Sequence, residues 1–590
     1  MIGKTKWVLL VVAAGSLLFR AAYAVELWSS PVLVAHRFQG SDMEFFDRWA
    51  RAIAAGDWWG KQELHPFAPW QRAAATEYLR RYPDEAQALV AGGVPENEGA
   101  LARALWSRWY GGKRLHQEPL YAYLVAITYK LLGPDPRWVF LWQLLLGAAT
   151  NVLVFLVARR AAGDLAGAVA GLLALFYAPL LAQEMVLLRT TLAAFTITLA
   201  VLLLERAFDA GGARRFLAAG AGLGVALLCQ LPMALVALFS FAVLAWRARL
   251  GIRAALRDAA PLALGIALPL SPIVLRNVVV GIAPLTYVSV GTQTYLPHAI
   301  ASYDPRSGGK AYGDAELAIL HQTGGSFPAA VREAWKTFDG AGARLKFYAG
   351  KLGAALSWYE EADNQSFYYL RMLSPTLRRL PLTFAVVGPL ALLGVVALLL
   401  RGSLRGAWLA ATALTGILVL VLTIPIARYR APYLPAMIAL AGLGVAGCVE
   451  ALSQRRFSRL AVLGAAGAGA AALVLWPLPP GKPLLRGVDW SSPYLYYYGP
   501  AATSAARAGR WDQALELLDE FLQRMPAGLA ALARKPDPTR ADKDLVCFYA
   551  DVTAFQAAAL EKTRRAGGVP RELVAALGSG CQVMSAASPR

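Results

Sequence analysis

The chain has 590 residues, of which 57% are hydrophobic and 16% charged, with mean hydropathy +0.45 and a net charge of +20. Soluble domains carry about 25% charged residues, and a soluble core stops growing near roughly 250–300 residues. A single soluble domain is therefore excluded, and so is a disordered chain, which needs few apolar residues. What remains is an all-α polytopic membrane protein, whose Lys/Arg excess is the positive-inside bias of short loops rather than a nucleic-acid patch.

Lys4 and Lys6 precede an apolar run over 7–27 that reads as an uncleaved signal-anchor. A cleavable signal peptide is the alternative, because small residues stand at Ala22 and Ala24. Runs near the ~20 residues a span needs follow at 138–158, 165–183, 188–204, 259–275, 382–400, 406–425, 432–449 and 460–477. The run 216–246 is broken at Gln230-Leu-Pro232 and reads as two short crossings, while 120–133 is short for a span.

Six short segments (1–6, 159–164, 205–215, 247–258, 401–405 and 450–459) hold sixteen Lys/Arg against five Asp/Glu. Placing them in the cytoplasm obeys the positive-inside rule. The regions 28–118, the turn Glu184–Arg189, 277–380 and the tail beyond 478 then lie outside. The expected architecture is a first span (1–27), an external loop (28–118), spans (119–276), a second external loop (277–380), spans (381–478) and an external helical tail (479–590). About eleven or twelve spans result. Parity stays open, since 120–133 and 138–158 are two runs where an odd number of crossings is needed.

In the tail, Ala505–Pro526 reads as an amphipathic helix pair resembling one tetratricopeptide-type unit. Cys229 and Cys448 sit in apolar segments as packing residues. Cys547 and Cys581 lie in the tail and are free to pair if it is outside the cytoplasm.

The first external loop starts at Ser41-Asp42-Met-Glu44, and Phe46, Trp49, Ala50 and Ile53 then recur at helical spacing. That pattern predicts an amphipathic helix lying on the membrane, with Asp42 at its N-cap. Asp42 is either a cap worth about 1 kcal/mol or a carboxylate at the mouth of a membrane cavity. Tyr121, behind Pro119, opens the next apolar region. Glu184 and Arg189, and farther on Arg276-Asn277, Arg428 and Arg430, are ionisable groups at outer membrane ends; they are either interfacial anchors or functional groups. Arginines where the positive-inside trend disfavours them suit a lipid phosphate.

Taken in order, these residues resemble the GT-C superfamily of membrane glycosyltransferases, nearest to bacterial relatives of protein mannosyltransferases and aminoarabinose transferases. The similarity covers roughly residues 7–475. It rests on Arg20, on Asp42, Phe46 and Ala50 with Gly56-Asp57-Trp58, and on Pro119-Leu-Tyr121. Arg276-Asn277 with Gly291-x-x-x-Tyr295, Glu360-Glu-Ala-Asp-Asn364 and Arg428-Tyr-Arg430-x-Pro432 continue it. Departures are Phe46 where Tyr is commoner, a lengthened stretch 60–116, Glu118 before Pro119, and Pro297-His298.

The resemblance implies transfer of one sugar from a polyprenyl-phosphate donor to an acceptor hydroxyl, with inversion, outside a bacterial cytoplasmic membrane. The partners are the lipid donor, membrane lipids and an acceptor that is protein, lipid or glycan; no nucleic acid is involved. Asp42 is the expected base. Glu44, Tyr121, Glu184, Arg189, Arg276, Arg428 and Arg430 are the expected substrate-binding residues. Some relatives place a divalent metal at this aspartate, and the sequence leaves that undecided. A transporter or flippase and a lipid-linked glycan ligase are the rival readings; transporters favour repeats and mid-membrane charges.

Overall fold

In a computed structural model of the chain, residues 2–37, 41–249, 252–288, 313–476, 493–526, 528–536 and 540–586 are described. Among them the protein is helical throughout, and its one isolated bridge joins Tyr177 to Leu382 in parallel. The Gly291–Tyr295 stretch and Pro297-His298 lie outside the described residues.

Eight helices among these residues are long and apolar enough to cross a membrane. They are Lys6–Leu27, Pro136–Ala162, Thr190–Ala210, Leu231–Ala248, Ala255–Val280, Phe384–Arg401, Ala427–Ser453 and Phe457–Leu475. Three shorter apolar helices, Leu120–Leu132, Asp164–Leu175 and Ala407–Leu422, accompany them. The run 216–246 does break as its sequence suggests, into helices Ala213–Leu227 and Ala234–Ala248 around a 3-10 turn at Leu231–Met233. The run 165–183 is not one span. Its helix stops at Leu175, Ala178 N–H donates to Leu382 at 3.1 Å, and a short Pro179-containing helix Ala178–Ala182 leads into the turn 183–189.

Small residues let the frame close. A Cβ at Gly220 or Gly265 would strike the backbone of the facing helix, and so would one at Gly394 or Gly444. Helix Ala213–Leu227 therefore lies directly on Ile252–Val280, and Phe384–Arg401 on Leu434–Ser453.

The parity question turns on helix length. Helix Leu120–Leu132 has 13 residues, about 20 Å of rise against a ~30 Å hydrocarbon core. Near its start Tyr123 Oη donates to Trp58 O at 2.6 Å, and beyond its end Pro134 O accepts from Arg51 at 3.0 Å. Both ends thus meet the first loop, and the helix is shorter than such a core. Pro136–Ala162 is long and apolar enough to cross by itself.

On the opposite face, the basic connections are tied together: Arg160 and Arg405 both reach Asp209, at 2.7 and 2.9 Å, and Arg401 reaches Glu450 at 2.8 Å. These are the segments the positive-inside rule assigns to the cytoplasm.

Helix Asp42–Ala54 buries Phe45, Phe46, Trp49, Ala50 and Ile53. Their partner is protein and not lipid, a correction to the surface-helix expectation. The helix packs on Leu120–Leu132, with Phe46 edge-on to Tyr121 at 5.0 Å. The extra length of the first loop forms helices Pro69–Arg81, Pro83–Ala91 and Glu98–Tyr110. Those share a core of Tyr78, Trp106 and Trp109 with Leu317, Leu320 and Ala330 of the second loop.

In the tail, the segment Ala505–Pro526 holds one full amphipathic helix, Trp511–Leu522, and only the end of a second, Gly499–Arg507, so the expected pair starts earlier than its sequence suggests. The helices beyond it, Leu529–Ala533, Arg540–Thr563 and Arg571–Ala586, do not repeat that unit's lengths. A disulfide joins Cys547 to Cys581, while Cys229 is buried and free.

Candidate active site

The sequence reading puts Asp42 at a helix N-cap; the structure gives that position to Ser41. Ser41 is extended (φ −85°, ψ 155°), and its hydroxyl accepts the Glu44 N–H at 3.0 Å. Ser and Asp cap helices by the same bond, so a serine in the cap releases the aspartate one residue on. Asp42 instead reaches across the molecule. Its Oδ2 accepts from Arg428 at 2.6 Å and from Asn364 Nδ2 at 3.1 Å. Arg428 also pairs with Asp363 Oδ2 at 2.8 Å, so one guanidinium spans two carboxylates.

The surroundings set the charge of this centre. Burial pushes the Asp42 carboxyl up, but the neighbouring Arg428, its hydrogen bond, His116 and the Asn364 amide outweigh that and hold it below the usual carboxylate range. Asp363 goes the other way: burial raises it more than Arg428 lowers it, and the charge of Asp42 adds to the rise. The titrations of two carboxylates on one cation are therefore pushed apart, Asp42 downward and Asp363 upward. His116 is edge-on to Phe45 at 5.2 Å and to Tyr110 at 4.8 Å. Burial, followed by His65, lowers its imidazole to about 3, so it is neutral at pH 7.

Arg428 is held by its own turn. Ala427 N–H donates to Glu361 O at 3.1 Å. Two residues on, Arg430 pairs with Glu360 at 2.8 Å, donates to Ser357 O at 2.8 Å and stacks over Phe384 at 3.7 Å. The turns 360–364 and 427–430 are thus stitched by two neighbouring bonds, one ionic and one from the backbone.

The structure brings together Asp42, Arg428 and, within electrostatic reach of both, Arg189. Arg189 pairs with Glu118, whose Oε1 accepts the Leu231 N–H at 2.9 Å. The other expected substrate-binding residues have different tasks. Glu44 accepts from Arg48 Nε at 2.9 Å, one turn along its own helix. Tyr121 Oη donates to Gln143 at 2.8 Å, and Gln143 in turn holds the carbonyls of Glu184 and Val186. Glu184 pairs with Arg20 at 2.5 Å inside the bundle, where Gly147 leaves room for its carboxylate.

Arg276 spends its guanidinium on the carbonyls of Trp59, Gly60 and Lys113, at 3.0, 2.7 and 2.6 Å, and on Asn277. It fastens the first loop and does not reach the Asp42 cluster. Arg430, 3% exposed, is engaged at both terminal nitrogens by Glu360 and carbonyls.

Asp363 and Asn364, quoted in the sequence only as part of a motif, are the two site residues that residue-by-residue reading missed. No local spacing marks them, because Asn364 meets Asp42 across 322 residues of chain and Asp363 joins it only through Arg428. A divalent metal would need more donors than are gathered here. Among the described residues no three His, Cys, Asp or Glu side chains converge, and Arg428 occupies both carboxylates.

A many-spanning helical frame with a carboxylate–guanidinium centre on the face opposite its basic loops is the architecture the GT-C resemblance implies. The model of the dolichyl-phosphate-mannose-protein mannosyltransferase family matches residues 116–274. No curated protein matches the chain.

Among solved structures, the chain is similar to the oligosaccharyltransferase of Archaeoglobus fulgidus in its apo form, at 13% identity and TM-score 0.36, over 70% of this chain and 52% of that one. The same archaeal enzyme, AglB, in complex with an inhibitory peptide and a dolichol-phosphate matches at 13% identity and TM-score 0.39, over 91% and 60%. ArnT from Cupriavidus metallidurans bound to undecaprenyl phosphate matches at 18% identity and TM-score 0.27, over 76% and 79%. The chain spans a little over half the length of the archaeal chains.

Proposed function

We propose that the protein is a membrane glycosyltransferase that moves one sugar from a polyprenyl-phosphate donor to an acceptor hydroxyl on the outer side of a bacterial inner membrane. One observation carries the reading: Asp42, relieved of capping by Ser41, is kept ionised by Arg428 and Asn364 at the mouth of the bundle. The matched family and the lipid phosphates named with the similar structures support the donor class.

In the proposed step the acceptor oxygen attacks the anomeric carbon while the bond from that carbon to the lipid phosphate breaks. Asp42 takes the hydroxyl proton as the new bond forms, and the phosphate leaves with the electron pair. A single displacement inverts the anomeric configuration. Arg428 is already shared by two carboxylates, so Arg189, bound to Glu118 and facing the same centre, is the cation for the leaving phosphate. Tyr121, Glu184 and Gln143 brace the turn 183–189 that presents Arg189. Arg276 and Arg430 hold the first loop and the 427–430 turn in place.

The test is release of undecaprenyl phosphate from a panel of undecaprenyl-phosphate sugars, mannose and aminoarabinose included, by wild type and Asp42→Asn. A general base contributes about 10²–10⁴-fold, so a folded Asp42→Asn protein should lose that much turnover. Equal activity would remove Asp42 from the step. No release from any donor by wild type would turn the question to lipid transport.

A further inference from the structure

The proposed step uses residues of the frame and the two external loops. The tail takes no part in it, yet the tail is docked where the centre is built. Tyr494–Tyr498 packs on the 3-10 helix Pro31–Arg37, a few residues before Asp42. Tyr497 is 1% exposed and donates its hydroxyl to Asn364 O at 3.3 Å. That same Asn364 donates its side-chain amide to Asp42. Tyr369, in helix Phe367–Leu373 just past the 363–364 turn, lies 6.3 Å from both Tyr498 and Phe521 of the tail.

We propose that the tail completes the active centre, with Tyr497 as a positioning residue that fixes the Asn364 peptide and so aims the Asn364 amide at Asp42. Tyr496, the adjacent residue, is within electrostatic reach of the same carboxylate pair. The inference rests on Asp42 being the base. The plainer role for a helical tail is to cap and stabilise the outer face, and the tests must separate the two.

The electrostatics agree with the geometry. Burial raises the Tyr496 phenol, and Asp363, Asp42 and Arg428 are the charges it feels next. The groups facing Asp42 are thus Arg428, Asp363, His116, Tyr110, Arg189, Tyr429 and Tyr496, drawn from the frame, both loops and the tail.

Tyr497→Phe removes one hydroxyl and keeps the ring that fills the core. Tyr498→Phe is its control: that hydroxyl donates to Glu520 at 2.7 Å and meets Tyr369 across the same tail–loop seam, without touching the Asn364 peptide. The assay is release of undecaprenyl phosphate from the donor that wild type accepts, across pH, with thermal unfolding alongside. In Tyr497→Phe we expect turnover to fall about fivefold, as a lost hydrogen bond worth ~1 kcal/mol brings. The acid limb should move to higher pH, because Asp42 loses an aligned donor, while donor KM stays as in wild type. Tyr498→Phe should keep the wild-type acid limb whatever it does to the melting temperature.

Tyr497→Phe with the turnover and acid limb of Tyr498→Phe would overturn the proposal and leave the tail a stabilising cap. Asp42→Asn, run in parallel, separates the two claims. If Asp42→Asn is inactive and Tyr497→Phe is unaltered, the tail inference alone fails. If Asp42→Asn retains activity, the reading of the site fails first.

Discussion

Replacing Arg428 by Gln takes one cation from between two acids. Its guanidinium is 13% exposed and lies 2.6 Å from Asp42 and 2.8 Å from Asp363, whose side chains are 31% and 32% exposed. Breaking a buried pair by removing one partner costs about 3–5 kcal/mol. Because both acids keep some contact with solvent, we expect about 2–3 kcal/mol here.

The sign of the pH effect follows from the direction of the Asp42 shift. Its carboxyl is held low, so the stability it contributes is present above the unfolded carboxylate value, near ~3.9, and is lost as pH falls through the folded one. Without Arg428 that depression goes, and Asp42 and Asp363 repel. Turnover at pH 7 should fall by about 10²-fold or more, and the acid limb of kcat/KM should move up. Arg428→Lys, which keeps the charge but loses the fork that spans both acids, should fall between. The measurements are pH profiles of undecaprenyl phosphate release and thermal unfolding in detergent. An unmoved acid limb with only a raised donor KM would refute the argument and make Arg428 a donor ligand alone.

Ser41→Ala should cost about 1 kcal/mol of stability by loss of the cap, seen as a lower melting temperature; Asp42→Asn, which removes the charge paired with Arg428, should lower it as well, and only at pH values where Asp42 is ionised. Arg430→Met should destabilise by about 3–5 kcal/mol by stranding the buried Glu360; adding Glu360→Leu should restore much of that in the same thermal assay. Reducing the Cys547–Cys581 bond, which closes a 34-residue separation, should lower the tail's stability by about 3 kcal/mol, read by limited proteolysis of the tail.

The sequence announces the frame plainly, because a span needs ~20 apolar residues in a row and the bilayer forces that pattern on the chain. Helix Asp42–Ala54 is equally legible from its 3-4-7 spacing. What covers that helix is not: lipid and a neighbouring apolar helix select the same residues, so Phe46 gives no sign that it meets Tyr121. The same degeneracy keeps the parity at 120–133 open in the sequence. Charged residues are harder still. Arg276, Arg428 and Arg430 look alike in the sequence, each at an outer helix end. Only folding shows that Arg276 grips carbonyls, Arg430 grips Glu360 and Arg428 grips Asp42. The motif singles out Asp42, but the bonds from Asn364 to Asp42 and from Tyr497 to Asn364 join segments hundreds of residues apart.

Arg428 stands at the root of Ala427–Ser453, whose Gly442 and Gly444 press against the backbones of Ala166 and Leu390 with no room for a Cβ. Asp42, Asn364 and Tyr497 hang from three separate external segments. One member of the centre is therefore anchored in the frame and the others are suspended over it. Such a layout is coupled on one side only: Phe45, Phe46 and Trp49 beside Asp42, and Tyr497 of the tail, share one core with Tyr23, Val139 and Met185, so a segment exchanged there must return its apolar face as well as one carboxylate or amide to the same arginine. Helix Leu434–Ser453, packed on Ala166 and Leu390, can stay as it is while those segments change.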